Sequence, residues 1–198
     1  MTIRLSTLAP LEGQKLWGFV EQARKIRLAT AVDGGPLIVS PAWFVVRDQT
    51  VFVALDPNVG DPGRTTTVDA VHIANVEAGG KASAVIDAGD EMDNVHAARF
   101  AGSAEIVTDK AVIEELLDLI AEKYFYVGHP HLEYYFSRGA VSNRRWCKLL
   151  PDELEGWDLR ELPQPPVADL LAFPKHLAPS SAKPNAARAS SVTSDDRT

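Results

Sequence analysis

The sequence predicts a mainly β fold with peripheral helices, organised around an antiparallel meander in residues 26–54. Three observations predict it. Residues 26–32, 36–46 and 50–54 are each rich in β-branched and aromatic side chains, which suit a pleated, half-buried surface. The runs are separated by Asp33-Gly34-Gly35 and Arg47-Asp48-Gln49. The first is a strong tight-turn signal, because glycine reaches positive φ at little steric cost; the second is weaker but of the right length. Two hairpins in succession make a sheet built for closure, not a βαβ unit.

The other elements follow in chain order. Residues 11–25 read as an amphipathic helix with Leu16, Phe19, Val20 and Ala23 on one face, expected to pack over one end of the sheet. After the meander, residues 56–67 carry two prolines, two glycines, Arg64 and three threonines. Residues 68–76 read as a helix capped by Thr66 or Thr67 and stopped by Gly79-Gly80. An arginine and hydroxyls at a helix start can bind an anion such as phosphate. The same residues also describe an ordinary polar connection with a threonine cap. Residues 81–87 form the next strand. The acidic stretch 87–94 lacks the spacing of a calcium loop and reads as a solvated hairpin loop. Residues 95–107 form a long strand whose small residues would let a flat ligand or a partner chain come close. Residues 111–125 form the clearest helix, with Val112, Leu116, Leu119, Ile120 and Tyr124 in its apolar stripe.

The turn at 128–131 holds His129 and His131, open to three readings: a metal site short of ligands, a contact to substrate or flavin, or loop polarity. Residues 132–137 suggest a short aromatic helix. Residues 144–150 read as the last strand. Its Arg144-Arg145 pair suits either an oxyanion clamp or a solvated surface. Trp146, on its own, reads as core. Cys147 reads as a small buried residue without a base partner.

Composition bounds the rest. With 198 residues, 45% hydrophobic and 24% charged, the chain has the make-up of a soluble globular domain with a real core. A formal charge of −7 argues against a nucleic-acid surface, which needs clustered Lys and Arg. One cysteine excludes an intrachain disulfide and a cysteine-based metal cluster. No secretion signal and no apolar run long enough to span a membrane is present, so a cytoplasmic location is expected. Six of the 13 prolines lie beyond residue 162 among many Ala and Ser. This sets the expected domain at 1–162 and an extension at 163–198, with a short apolar island at 170–173 and disorder from about 174.

The order of elements resembles the flavin-binding split β-barrel family that includes pyridoxamine 5′-phosphate oxidase. The carrying motifs are Arg27-Leu28-Ala29-Thr30-Ala31-Val32-Asp33, Pro41-Ala42-Trp43-Phe44-Val45-Val46, His72-Ile73-Ala74-Asn75-Val76, Arg99-Phe100-Ala101-Gly102-Ser103-Ala104-Glu105-Ile106, and Trp146-Cys147-Lys148-Leu149-Leu150-Pro151 with Gly156-Trp157-Asp158. Two departures stand out. The family's helix lysine is His72 here, which carries less positive charge at neutral pH, and the 56–67 loop is longer than usual.

The resemblance implies a six-stranded antiparallel split barrel that forms a homodimer and holds FMN between protomers. It implies Val39, Ser40, Pro41, Ala42 and Trp43 near the ring, and Arg64, Thr65, Thr66, His72 and Asn75 near the phosphate. Arg145 and Trp146 would reach in from the other chain. The implied function is that of an FMN-dependent oxidoreductase acting on a small molecule, with no catalytic side chain singled out and no metal. The alternatives are a deazaflavin-dependent reductase, or a protein that holds flavin or haem without turnover. Pyridoxamine-phosphate oxidase activity itself is disfavoured, since residues 27–32 do not match that enzyme's strand motif.

Overall fold

The computed structural model describes residues 4–57, 67–91, 94–125, 129 and 143–162, and every element below lies in the unit Met1–Leu162. The six strands are β1 (Ile26–Ala31), β2 (Ile38–Arg47), β3 (Thr50–Leu55), β4 (Lys81–Ala88), β5 (His96–Ile106) and β6 (Arg145–Asp158). They close into an antiparallel barrel in the order β1-β2-β3-β6-β5-β4. The helices are α1 (Leu5–Leu8), α2 (Gly13–Gln22), α3 (Val68–Glu77) and α4 (Lys110–Tyr124), with a 3-10 turn at Leu159–Glu161. The aromatic helix expected at 132–137, the island at 170–173 and the tail beyond it lie outside the described residues.

Alternation sorts the side chains into two cores. Ile26, Leu28, Phe44, Val53, Leu55, Ile86, Phe100 and Leu149 point inward and fill the barrel. Each such side chain removed from water contributes roughly 1.5–3 kcal/mol before entropy is counted. Leu16 and Val20 of α2, and Ile73 and Val76 of α3, pack into the same interior. The second core lies outside the barrel wall, where Leu116 and Ile120 of α4 cover Val45, Phe52, Ala54 and Trp146. The stripe expected on residues 111–125 is the one that docks.

Two expectations need correction, and one helix has no counterpart among them. The β1–β2 connection is not confined to a tight turn at Asp33-Gly34-Gly35: it spans residues 32–37, folded as a turn in which the Gly35 N–H donates to the Val32 carbonyl (2.9 Å) and Gly34 takes φ +75°. The weaker turn signal marks the tight one instead. Arg47 pairs with Thr50, and Asp48 and Gln49 between them both have positive φ, +49° and +55°, as a type I′ hairpin requires.

The last strand does not stop at residue 150 either, but runs on through Pro151 to Asp158. Proline interrupts a ladder because it lacks an N–H. Here the interruption is absorbed by a bulge: Gly102 faces Pro151 while Ala101 faces Glu153, leaving Asp152 unpaired. A Cβ on Gly102 would lie 2.4 Å from the Leu150 carbonyl oxygen, so the bulge needs glycine opposite. Finally, the short helix α1 carries no sequence signal of its own; the residues that follow it are held by β6, with the Asp158 N–H donating to the Ala9 carbonyl and the Leu11 N–H to the Gly156 carbonyl.

Candidate site at the open edge of the second strand

Strand β2 is where the barrel splits. Ile38 to Ala42 pair with β1, and Trp43 to Arg47 pair with β3. The handover has no overlap, so each half of β2 has one edge without a strand beside it among the described residues.

The Trp43–Arg47 half is sealed on that side by Tyr124 at the end of α4. Its hydroxyl oxygen accepts from the Phe44 N–H (3.1 Å), and its hydrogen is shared between the carbonyls of Phe44 and Arg24, both at 3.0 Å. Burial raises the Tyr124 pKa, keeping it protonated and able to donate. Because Phe44 turns both backbone groups away from β3, strand alternation turns those of Val39 and Pro41 away from β1. The open half-edge therefore presents one N–H, from Val39, and two carbonyls, from Val39 and Pro41.

Side chains around this edge divide into two faces. Val39 and Pro41 point outward and are exposed, Val39 by 58% and its neighbour Leu37 by 68%. Across β1 and β4 the same face continues in small residues, and Arg27, Ala29, Val39, Ser83, Val85 and Asp87 line a shallow groove of about 280 Å³. An Arg27–Asp87 ion pair bounds it. Ser40 and Ala42 point inward yet stay half-buried, because the wall beside them is missing. Trp43 stacks on Tyr124 (5.2 Å between centroids, 22° between planes) and meets Phe125 edge-on at 5.6 Å. Phe125 in turn meets His129 edge-on at 5.4 Å. The Arg144 guanidinium sits 5.8 Å from the Trp43 ring.

Beneath Ser40 lies a buried polar chain. The Asn75 side-chain amide donates to Thr30 Oγ1 at 3.0 Å. Thr30 Oγ1 is 2.8 Å from His72 Nδ1, and His72 Nε2 is 3.0 Å from Ser40 Oγ. His72 has no exposed surface, and Thr30 and Asn75 are 1% and 7% exposed. Burial lowers the His72 pKa, and the opposing pull of Asp69 is smaller, so the ring is neutral at neutral pH. Thr67 caps α3 by accepting from the Ala70 N–H at 3.2 Å. Asp69 accepts from the Asp56 N–H at 2.9 Å and lies 3.6 Å from Arg144, which ties the start of α3 to the ends of β3 and β6.

The expected site residues thus fall into separate groups. Val39, Ser40, Pro41 and Ala42 are contiguous along the open half of β2, and Trp43 begins the sealed half. His72 and Asn75 sit behind it, with their polar atoms turned to Thr30 and Ser40. Arg145 pairs with Glu77 at 2.9 Å. Trp146 has no exposed surface and lies under α4, and its indole N–H has no hydrogen-bond partner among the described residues. Arg64, Thr65, Thr66 and His131 lie outside the described residues. Residue reasoning missed Thr30 and Tyr124. A signal for Thr30 was present: it follows Ile26 and Leu28 at the inward positions of β1. Tyr124 reads only as part of an apolar stripe, and nothing local marks its hydroxyl as a backbone clamp.

A larger cavity, about 420 Å³, lies at the other end of β2 and is lined by Arg47, Phe52, Glu105, Asp109, Val112 and Lys148, among others. Its cations are already paired, Arg47 with Glu115 and Lys148 with Glu105. Among the described residues no helix is long and apolar enough to cross a membrane.

No protein-family model and no curated protein matches the sequence. Solved structures do match. The conserved hypothetical protein Rv2991 from Mycobacterium tuberculosis aligns over 83% of this chain and 97% of its own, with TM-score 0.62 and 20% identity. HutZ, the haem storage protein from Vibrio cholerae, aligns over 80% and 100%, with TM-score 0.54 and 17% identity. An FAD-binding protein from Mesorhizobium loti aligns over 74% and 92%, with TM-score 0.50 and 16% identity. At these identities the likeness is one of fold. This chain shares with these proteins the fold described above, a closed six-stranded antiparallel barrel.

Proposed function

We propose that the chain is an FMN-dependent oxidoreductase acting on a small molecule, with the flavin seated along the open edge of β2 at the interface of a homodimer. The observation that carries this reading is the edge itself: the backbone groups of Val39 and Pro41 and the half-buried Ser40 hydroxyl, beside the Trp43 aromatic cluster. The pyrimidine rim of an isoalloxazine offers two carbonyls flanking an N–H, so the Val39 N–H would donate to a ring carbonyl and a backbone carbonyl of the edge would accept from the ring N–H. When bound, the flavin would supply the hydride chemistry. The chain's own work is to bind the ring, orient it and exclude water.

Phosphate binding falls to Arg64, Thr65 and Thr66 in this reading, since His72 is neutral and turned inward. The homodimer rests on the outward face. Leu37 and Val39 are large, apolar and exposed, and the small residues of β1 and β4 beside them leave room for a flat partner surface. A second copy would cover this face and shield the flavin.

A second reading, holding of flavin, deazaflavin or haem without turnover, has one observation in its favour. His72, behind the open edge, is held neutral by burial. Burial also pushes the Cys147 thiol up to about 12.

The test is direct. The purified full chain is titrated with FMN and with a deazaflavin, and its mass is measured by light scattering. Binding of FMN at micromolar levels by a dimer, followed by oxidation of a reduced nicotinamide, is the expected result. Val39→Arg should convert dimer to monomer and lose the flavin with it. A monomer that takes up no flavin overturns the proposal; a dimer that binds FMN but never turns over favours the carrier reading.

A further inference from the structure

We propose that His72 is a positioning residue that fixes the Ser40 hydroxyl as a hydrogen-bond donor toward the ligand at the open edge. This rests on the flavin reading above for the identity of the ligand, but not for the direction of the bonds.

The direction follows from counting hydrogens. The Asn75 amide donates to Thr30 Oγ1. Thr30 is 1% exposed, and among the described residues its side chain has one other partner, His72 Nδ1 at 2.8 Å. A buried hydroxyl hydrogen without an acceptor is costly, so it goes to Nδ1. A neutral imidazole that accepts at one nitrogen carries its hydrogen on the other. His72 Nε2–H then points at Ser40 Oγ, 3.0 Å away, and Ser40 can only accept. Its own hydrogen has no acceptor among the described residues. Ser40 is half-buried at the mouth of the split, so that hydrogen is free for a ring carbonyl or ring nitrogen of the flavin.

Two measurements test this. The first uses the full chain with ¹⁵N-labelled histidine at neutral pH, without ligand. Long-range proton–nitrogen correlations should show His72 with Nε2 protonated and Nδ1 bare. Protonation at Nδ1, or at both nitrogens, overturns the proposal. The second is FMN titration of variants. Ser40→Ala should weaken binding about tenfold, the equivalent of one good hydrogen bond, and Ser40→Thr, which keeps the hydroxyl, should restore it. His72→Asn keeps an acceptor near Thr30 but loses the donor to Ser40, and should weaken binding similarly. The double variant should be no worse than either single one. Wild-type affinity in Ser40→Ala, or losses that simply add, overturn the role of the bond. A wild-type chain that binds no FMN overturns the proposed function and the recipient of the bond together, while the ring tautomer still decides how the hydrogens run.

Discussion

The two free edges of β2 are made of the same strand and meet opposite fates. On the Trp43–Arg47 half, one tyrosine hydroxyl takes the place of a missing strand and satisfies both backbone groups of Phe44. On the Ile38–Ala42 half, no described side chain does so, and a histidine-held serine stands behind the gap. Buried backbone groups must find partners. Val39 and Pro41 on the second edge are exposed, so their backbone groups are open to water or, in the proposed function, to a ligand. The difference lies in the side chains offered, not in the strand.

Perturbing each edge separately should expose this contrast. The largest effect is expected on the sealed side. Tyr124→Phe removes the hydroxyl and strands the Phe44 N–H and two carbonyls; a loss of about 2–3 kcal/mol in urea unfolding is expected, with flavin affinity little changed. On the open side, Thr30→Val should cost about 1–2 kcal/mol by orphaning the Asn75 amide and His72 Nδ1, and should also loosen the ligand. Equal damage to ligand binding from both substitutions would break the contrast.

Two pH tests sharpen it. His72 has a folded pKa below its usual 6.5. Below pH 6.5 the unfolded chain takes up a proton that the fold refuses, so the stability His72 provides is present above 6.5 and is lost as pH falls. That acid loss should be smaller in His72→Asn. On the sealed side, Lys123 lies 3.7 Å from the centroid of the Phe44 ring, and its amine has no hydrogen-bond partner among the described residues. Burial, with help from Arg24 and against Glu21, brings its pKa from 10.5 to about 8. Stability should rise as pH climbs from 8 to 10.5, and Lys123→Met should abolish the rise while gaining stability at pH 7. The smallest effect is expected at the β2–β3 turn shared by neither edge. Gln49→Gly relieves a positive φ and should gain about 0.5–1 kcal/mol in thermal unfolding.

Much of the fold was legible because its signals are local. The β-branched runs of β1, β2 and β3 and the stripe on α4 fall where alternation and helical spacing put them. The continuation of β6 was not legible. Pro151 reads as a stop, and only the pairing with Gly102 shows that a bulge absorbs it. The resemblance points to residues 39–43 as a run, and four of them, Val39 to Ala42, lie on the open half of β2. The chemistry of that edge was not legible, because which backbone groups of β2 go unpaired depends on where β1 ends and β3 begins. His72 is the sharpest case. On α3 the buried positions are His72, Ile73, Asn75 and Val76, so polar residues share the inward face and no amphipathic pattern reveals it. A histidine there reads as a weak cation until its partners Thr30 and Ser40, 42 and 32 residues earlier, are seen beside it.

Cys147 offers one practical consequence. It is the chain's single thiol, has no exposed surface, and lies on β6 between Val53 of β3 and Ile106 of β5. A thiol reagent can reach it only when β6 leaves one of those neighbours. Its labelling rate is therefore a built-in clock for breathing of the barrel wall, readable without any engineered probe, and a bound ligand that clamps the wall should slow it.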